Sequence, residues 1–222
     1  MAAQIIESSP GGEGSESVFL RLEQKLQQIV LDVVDHGAGP IVGSAAYGAA
    51  RLDDEGDVDA AIDRIVRESV LTTGSAGFLT GLGGFLALPL TFPANVASNL
   101  VVNARMVGAI AHVRGHDLDD PRTQASILLT VAAADADKVL GELGVPIDED
   151  GPHATISRLP VPVVREINRR AGLFLVAKYG GKRLAFSMVR AIPVVGGLVG
   201  GGIDGALTQY VGSLAERTFE PV

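Results

Sequence analysis

Hydrophobic positions recur at steps of three and four through most of the chain. Val18, Leu22, Leu26, Ile29, Val30 and Val33 form such a series with Arg21, Glu23 and Lys25 between them. The spacing predicts an amphipathic helix over residues 15–36, ended by Gly37 and Gly39. The small-residue stretch 40–50 is read as a second helix. Asp53, Asp54, Glu55, Asp57 and Asp59 then lead into a third, which carries Ile62, Ile65, Val66 and Val70 on one face. Acids suit a helix N-terminus electrostatically. A calcium loop starting at Asp53 would put Val58 where the pattern needs glycine, so these acids read as a solvated cap.

Residues 119–143 place acids and Pro121 at their start and run on to Gly141, which predicts one helix. Four prolines in residues 145–162 mark a long loop. Helices are expected over 162–179, 182–191 and from Pro193 to Arg217. No segment alternates with period two, so the fold class is all-α: a helical bundle with a Gly-rich apolar helical hairpin and a Gly-rich C-terminal helix. The Ser, Gly and Glu content of residues 1–14 reads as a flexible tail, followed by a single helical domain over 15–222.

Two segments depart from ordinary amphipathicity. From Leu71 to Val113 Arg105 is the only charged residue, and in the stretch 191–215 Asp204 is the only one. Pro89 and Pro93 are expected to split the first into a Gly-rich part, 74–88, and a helix from Pro93 to Val113. Fifteen helical residues reach roughly 22 Å, short of the ~30 Å bilayer core, so the Gly-rich part suits a re-entrant or interfacial position better than a span. Gly197, Gly201 and Gly205 stand four apart, as do Gly77 and Gly81. Such faces admit close helix approach, against each other in a buried hairpin or against a partner helix in a membrane. Phe85, Leu88 and Phe92 surround the proline turn and are the candidates for apolar insertion.

Composition narrows the function classes. The chain of 222 residues is 47% hydrophobic and carries a net charge of −8, which argues against nucleic-acid binding and against recruitment to anionic lipid by bulk charge. There is no cysteine, and the four histidines (His36, His112, His116 and His153) show no metal-ligand spacing, so no metal site is expected. The start has neither a basic nor an apolar signal region, which implies a cytoplasmic location. The glycine patterns at Gly81–Leu86 and Val176–Arg183 both miss required positions of nucleotide loops, and no cofactor is expected.

What remains is a polar constellation. Asn95, Asn99 and Asn103 fall on one helix face; Arg105, His112, the turn residues His116 and Asp117, and the isolated Asp204 complete it. Mutual hydrogen bonding in the interior would account for the amides. A ligand-contact role is the other reading: a polar head group held by the amides, or a water oriented for an Asp or His base.

The strings TGLGGFLALPLTFPAN, AIAHVRGHDLDD and IPVVGGLVGGGIDGALTQYVGSLAERTF, in this order, resemble the EcsC protein family over roughly residues 57–219. His116 stands where that family commonly has an aromatic residue, and Asn95 where it commonly has Asp. The resemblance implies a helical, bacterial-type cytoplasmic protein, from a family named for its association with ABC transporter components, and implies no reaction, cofactor or catalytic residue. The expected function is non-enzymatic contact with a membrane, a lipid or a transporter-like partner helix through the Gly-rich apolar segments, peripheral to the membrane. The alternatives are a hydrolase built on Asp204, Asp117 and His116 near an Asn-lined pocket, or a soluble binding or structural module.

Overall fold

The computed structural model describes residues 13–82, 84–133, 136–147, 149, 151–176 and 195–222; the side chains of 13–19, 22, 76–98, 137 and 195–201 lie outside that description. Among the described residues the chain forms helices and no strand. They are α1 (Glu13–His36), α2 (Ser44–Glu55), α3 (Val58–Leu82), α4 (Gly84–Val113), α5 (Pro121–Val131), α6 (Ala136–Glu142), α7 (Gly151–Ser157), α8 (Val161–Leu175) and α9 (Val195–Thr218). The predicted helices at 15–36 and before Val70 are present. The helix expected over 182–191 and the first twelve residues lie outside the described residues.

Helix α4 is the axle of the bundle, and α1, α2, α3, α5 and α9 pack around it. Its described residues are almost all buried: Leu100, Ala104, Met106, Val107, Ala109, Ile110 and Ala111 are at 1% exposure or less. Gly48 on α2 lies against Ala109, and Gly108 against Ser44 and Val34. The side of α4 bearing Gly108 and Ala109 therefore faces α1 and α2. The opposite side, bearing Asn99, Asn103 and Ile110, is left for α3 and α9.

Three expectations are corrected. Pro89 and Pro93 do not split the apolar segment: the break is at the α3–α4 connection, and α4 runs helically through both prolines. Each proline omits one intrahelical hydrogen bond, and the rest of the helix, locked into the core beyond Asn99, carries the ladder through. Residues 119–143 form two helices, α5 and α6, because 132–137 is all Ala and Asp and offers no large side chain to hold a helix on the core; Ala133 takes a left-handed φ of 52° there. The proline-rich stretch contains α7, whose Pro152 sits in the first turn, where its missing N–H does no harm. Burial of His153, Thr155 and Ile156 anchors that short helix.

Local signals set the ends elsewhere. Asp120 caps α5, its side chain accepting from Arg122 N at 2.8 Å, with Pro121 following. Asp120→Ala should lower stability by about 1 kcal/mol in urea denaturation, the usual value of such a cap. Gly56 closes α2 with φ 71° and donates to Leu52 O at 2.8 Å. Between α2 and α3, Glu68 accepts from Tyr47 Oη (2.8 Å), Arg51 Nε (3.0 Å) and Arg64 Nε (3.0 Å). Burial works to raise the Glu68 pKa, but these three donors together hold it below the usual carboxylate value. Burial, then the bond to Glu68, pushes the Tyr47 phenol up to about 12.

Candidate functional site

Helices α3, α4 and α9 form the unit that carries most of the predicted constellation. Gly205 of α9 lies against Val70 and Gly74, and Gly212 against Val66, so α9 runs antiparallel to α3. Residue 83 alone separates α3 from α4, and Arg114 meets Asp59 at 3.2 Å at the far end, so these two are antiparallel as well. The same registers, carried along straight helices, bring the start of α9 level with the α3–α4 tip.

A buried polar layer crosses this unit. Ser69 and Thr73 come from α3, Asn99 and Asn103 from α4, Asp204 and Thr208 from α9, each no more than 3% exposed. Ser69 Oγ donates to Ile65 O at 2.8 Å and Thr73 Oγ1 to Ser69 O at 3.0 Å, so both hydroxyl hydrogens stay within their own helix. Asn99 Nδ2 and Thr208 Oγ1 are buried and meet no hydrogen-bond partner among the described residues. A buried polar group left so costs about 1–3 kcal/mol. Outside the layer, Arg105 Nε, Arg114 Nε and Asn168 Oδ1 are buried in the same condition, and the layer differs from them in bringing two such atoms, on α4 and α9, into one level of the bundle.

The other candidates lie elsewhere. Arg105 points to the α2 side, its guanidinium 4.1 Å above the Tyr47 ring. His112, His116 and Asp117 line an open cleft of about 660 Å³ together with Asp35, His36 and Asp119. Asp117 Oδ1 accepts from Asp119 N at 3.0 Å, which shapes the turn. This cleft stands past the C-terminal end of α4, roughly 20 Å or more from the Asn99 level at ~1.5 Å per residue. Asp204 is thus not brought to Asp117 and His116. The side chains of Asn95, Phe85, Leu88 and Phe92 lie outside the described residues, and Gly77 and Gly81 in α3, like Gly197 and Gly201 in α9, are placed only as backbone. At Gly205 a Cβ would sit 3.6 Å from Val70, an ordinary contact; among the described glycines of α9 the tight one is Gly212, at 3.0 Å from Val66.

Sequence reasoning missed a second cluster. His153 lies edge-on to His116, ring centroids 4.5 Å apart, and both flank Phe219, at 5.3 and 5.4 Å. Nδ1 of His153 lies 3.0 Å from Ser126 Oγ and its Nε2 3.1 Å from Ser157 Oγ. The two hydroxyls also donate to backbone carbonyls, Ser126 to Arg122 O at 3.1 Å and Ser157 to His153 O at 2.9 Å. Burial, then the neighbouring His116, pushes the His153 pKa down to about 4 against the pull of Asp120. His116 is also lowered by burial; its Nε2 donates to Glu220 O at 2.8 Å and ties down the C-terminal residues. The Pro152 helix-start signal beside His153 was the available clue.

Among the described residues no group of three or more His, Asp or Glu side chains is placed to hold a metal ion. None of the described helices is long and apolar enough to cross a membrane. No curated protein and no solved structure matches the chain. The model of the EcsC protein family matches residues 24–220, reaching back beyond the motif strings into α1. A match over that much of its length, carried by the helices that build both the polar layer and the histidine cluster, makes this chain a member of the EcsC protein family.

Proposed function

We propose that the protein is a non-enzymatic helical module that seats one end of the α3–α4–α9 unit on a lipid surface. The observation that carries this reading is convergence. The α3–α4 tip and the start of α9 lie at one end, and they bring together residues 71–82, 84–104 and 195–203, which contain no charged residue at all. Asp204, next in line, is 1% exposed. Just beyond, Leu71 (65%), Leu207 (37%) and Tyr210 (49%) are apolar side chains left open to solvent. Charges begin past that level, with Arg67 and Glu68 on α3, Arg105 on α4 and Glu216 on α9. An end of this kind suits interfacial seating, the depth at which an apolar helical surface rests without spanning.

Vesicle flotation tests the reading. Wild-type protein should float with phosphatidylcholine vesicles at low salt and equally at 1 M salt, where the Debye length of ~3 Å screens charge-driven binding. Phe85→Ser with Phe92→Ser should cut the bound fraction at least tenfold, since withdrawing even half of two Phe side chains from lipid exceeds ~1.4 kcal/mol. The double variant should keep its helical circular dichroism. Failure of the wild type to float at either salt would sink the proposal.

A further inference from the structure

We infer that the cavity between α5, α7 and α9 is a binding site for a small amphipathic carboxylate, an acid carrying one apolar chain. It lies toward the C-terminal end of α9, away from the uncharged end, and stands independently of the lipid-contact reading. The three helices pack on one another and leave about 390 Å³ between them, at the lower end of the ~300–1,000 Å³ typical of small-molecule sites. The cavity has a floor and a mouth. Leu129 of α5 and Ile156 of α7, at 1% exposure or less, give it an apolar floor, whereas Tyr210 and Arg217 of α9 stand exposed at its rim. Ile147, Pro152 and Leu214 are half-buried between these levels, so the space reaches from the interior to solvent.

The lining is graded along α9. Tyr210, Leu214, Arg217 and Thr218 follow at steps of four, three and one, which puts them on one helix face. The apolar pair comes first and the polar pair last, with Arg217 roughly 10 Å beyond Tyr210 at 1.5 Å per residue. Arg217 is the only charged side chain lining the cavity among the described residues. Its Nε donates to Ser213 O at 3.3 Å, back along its own helix. The guanidinium makes no ion pair among the described residues, which leaves its two terminal nitrogens to a ligand. Thr218, only 7% exposed, lines the same end. Its hydroxyl meets Thr130 Oγ1 at 3.5 Å, long for such a pair, and Thr130 already gives its own hydrogen to Ser126 O at 2.8 Å. Two guanidinium nitrogens and one hydroxyl suit the two oxygens of a carboxylate, and one cation balances its single charge. A phosphate monoester would bring further negative charge with no second cation in the described lining to offset it. An ammonium would face Arg217 itself. The apolar chain of the acid then lies along Leu214 toward Tyr210, over Leu129 and Ile156.

Octanoate, whose extended chain is about as long as the stretch from Arg217 to Tyr210, is the probe, titrated into the full chain by calorimetry without vesicles. It should bind saturably at one site and raise Tm, since a ligand held only by the folded state stabilises that state. Octanol and octylammonium should bind at least tenfold more weakly, and acetate, which lacks the chain, should give no measurable binding. Arg217→Gln should weaken octanoate at least tenfold and leave octanol unchanged, a charge-specific loss that a defect of folding would not produce. Because Arg217 is exposed, the unliganded Tm of this variant should match the wild type. Leu214→Trp, which fills the space, should abolish binding of octanoate and octanol alike. Absence of saturable octanoate binding by the wild type would overturn the site, as would equal affinity for octanoate and octanol, or an octanoate affinity untouched by Arg217→Gln. No vesicle takes part, so the outcome is separate from that of flotation.

Discussion

Gly108→Val is expected to lower the stability of the protein by at least ~3 kcal/mol, the upper part of the range for overpacked interiors. A Cβ at Gly108 would sit 2.5 Å from Ser44 Oγ, 2.8 Å from Ser44 Cβ and 3.1 Å from Val34 Cγ1. None of these can easily withdraw. Ser44 and Val34 are both fully buried, and the Ser44 hydroxyl donates to Arg105 O at 3.2 Å, so moving it breaks a second contact on α4. The helices α1 and α2 must then separate from the axle that positions the whole bundle. With global stabilities of about 5–15 kcal/mol, such a loss is a large fraction of the total and should lower Tm by roughly 10 °C. Gly202→Ala is the control: it is exposed, a Cβ there meets nothing within 4 Å, and the helix should gain about 0.5–1 kcal/mol. Urea unfolding of both variants measures the difference, and similar midpoints would show that α4 does not pack as closely on α2 as the structure has it.

The contrast between these two glycines explains what was legible in the sequence. Spacing at three and four residues found α1, α3 and the burial of Leu26, Val30, Val33, Ile62, Ile65 and Val66, because one apolar stripe against one core is what periodicity records. It could not find the close contact at Gly108, since Gly108 and Gly202 look alike until another helix is placed beside one of them. Pro89 and Pro93 misled for a related reason: their local preference for a break was outweighed by the long-range packing of the rest of α4. The Asn face on α4 was legible as a period of four, and Asp204 as the only charge in its stretch. Thr208, Ser69 and Thr73 were not, because a hydroxyl in a helix is unremarkable in sequence and becomes informative only when its burial and partners are known. Arg105, His112, His116 and Asp117 are near the Asn face in sequence, but helical phase turns Arg105 toward Tyr47 and helical rise carries the histidines to the far end.

Acid should destabilise the fold in a window set by the buried histidine cluster. The His153 pKa is depressed to about 4 in the folded protein, against about 6.5 for an unfolded histidine. The unfolded chain therefore takes up this proton first, and the stability that His153 contributes is complete above pH 6.5 and is lost as the pH falls toward 4. At 1.36 kcal/mol per unit, the loss from this site approaches roughly 3 kcal/mol by pH 4, and His116, depressed in the same direction, adds to it. Glu23, Asp35 and Glu216 oppose it: burial raises all three, so the folded state takes up their protons first, and this recovers some stability as the pH falls. Their effect runs upward from the ordinary carboxylate value, so the histidine share is read from the difference between the wild type and His153→Gln. Glu166, held at about 2 chiefly by its hydrogen bond to Arg169, loses its contribution only below the ordinary Glu value. Urea melts at half-unit steps from pH 7.5 to 5 should show stability falling below pH 6.5 in the wild type. His153→Gln removes the larger of the two histidine shifts and should be less stable at pH 7, yet much flatter across the same interval. The first sign should be release of the C-terminal residues, because protonating two rings 4.5 Å apart drives them from Phe219 and from the Glu220 carbonyl that His116 holds. A wild-type profile that stays level down to pH 5 would mean that His153 reaches water in the folded state and that the His116–His153–Phe219 stack is open.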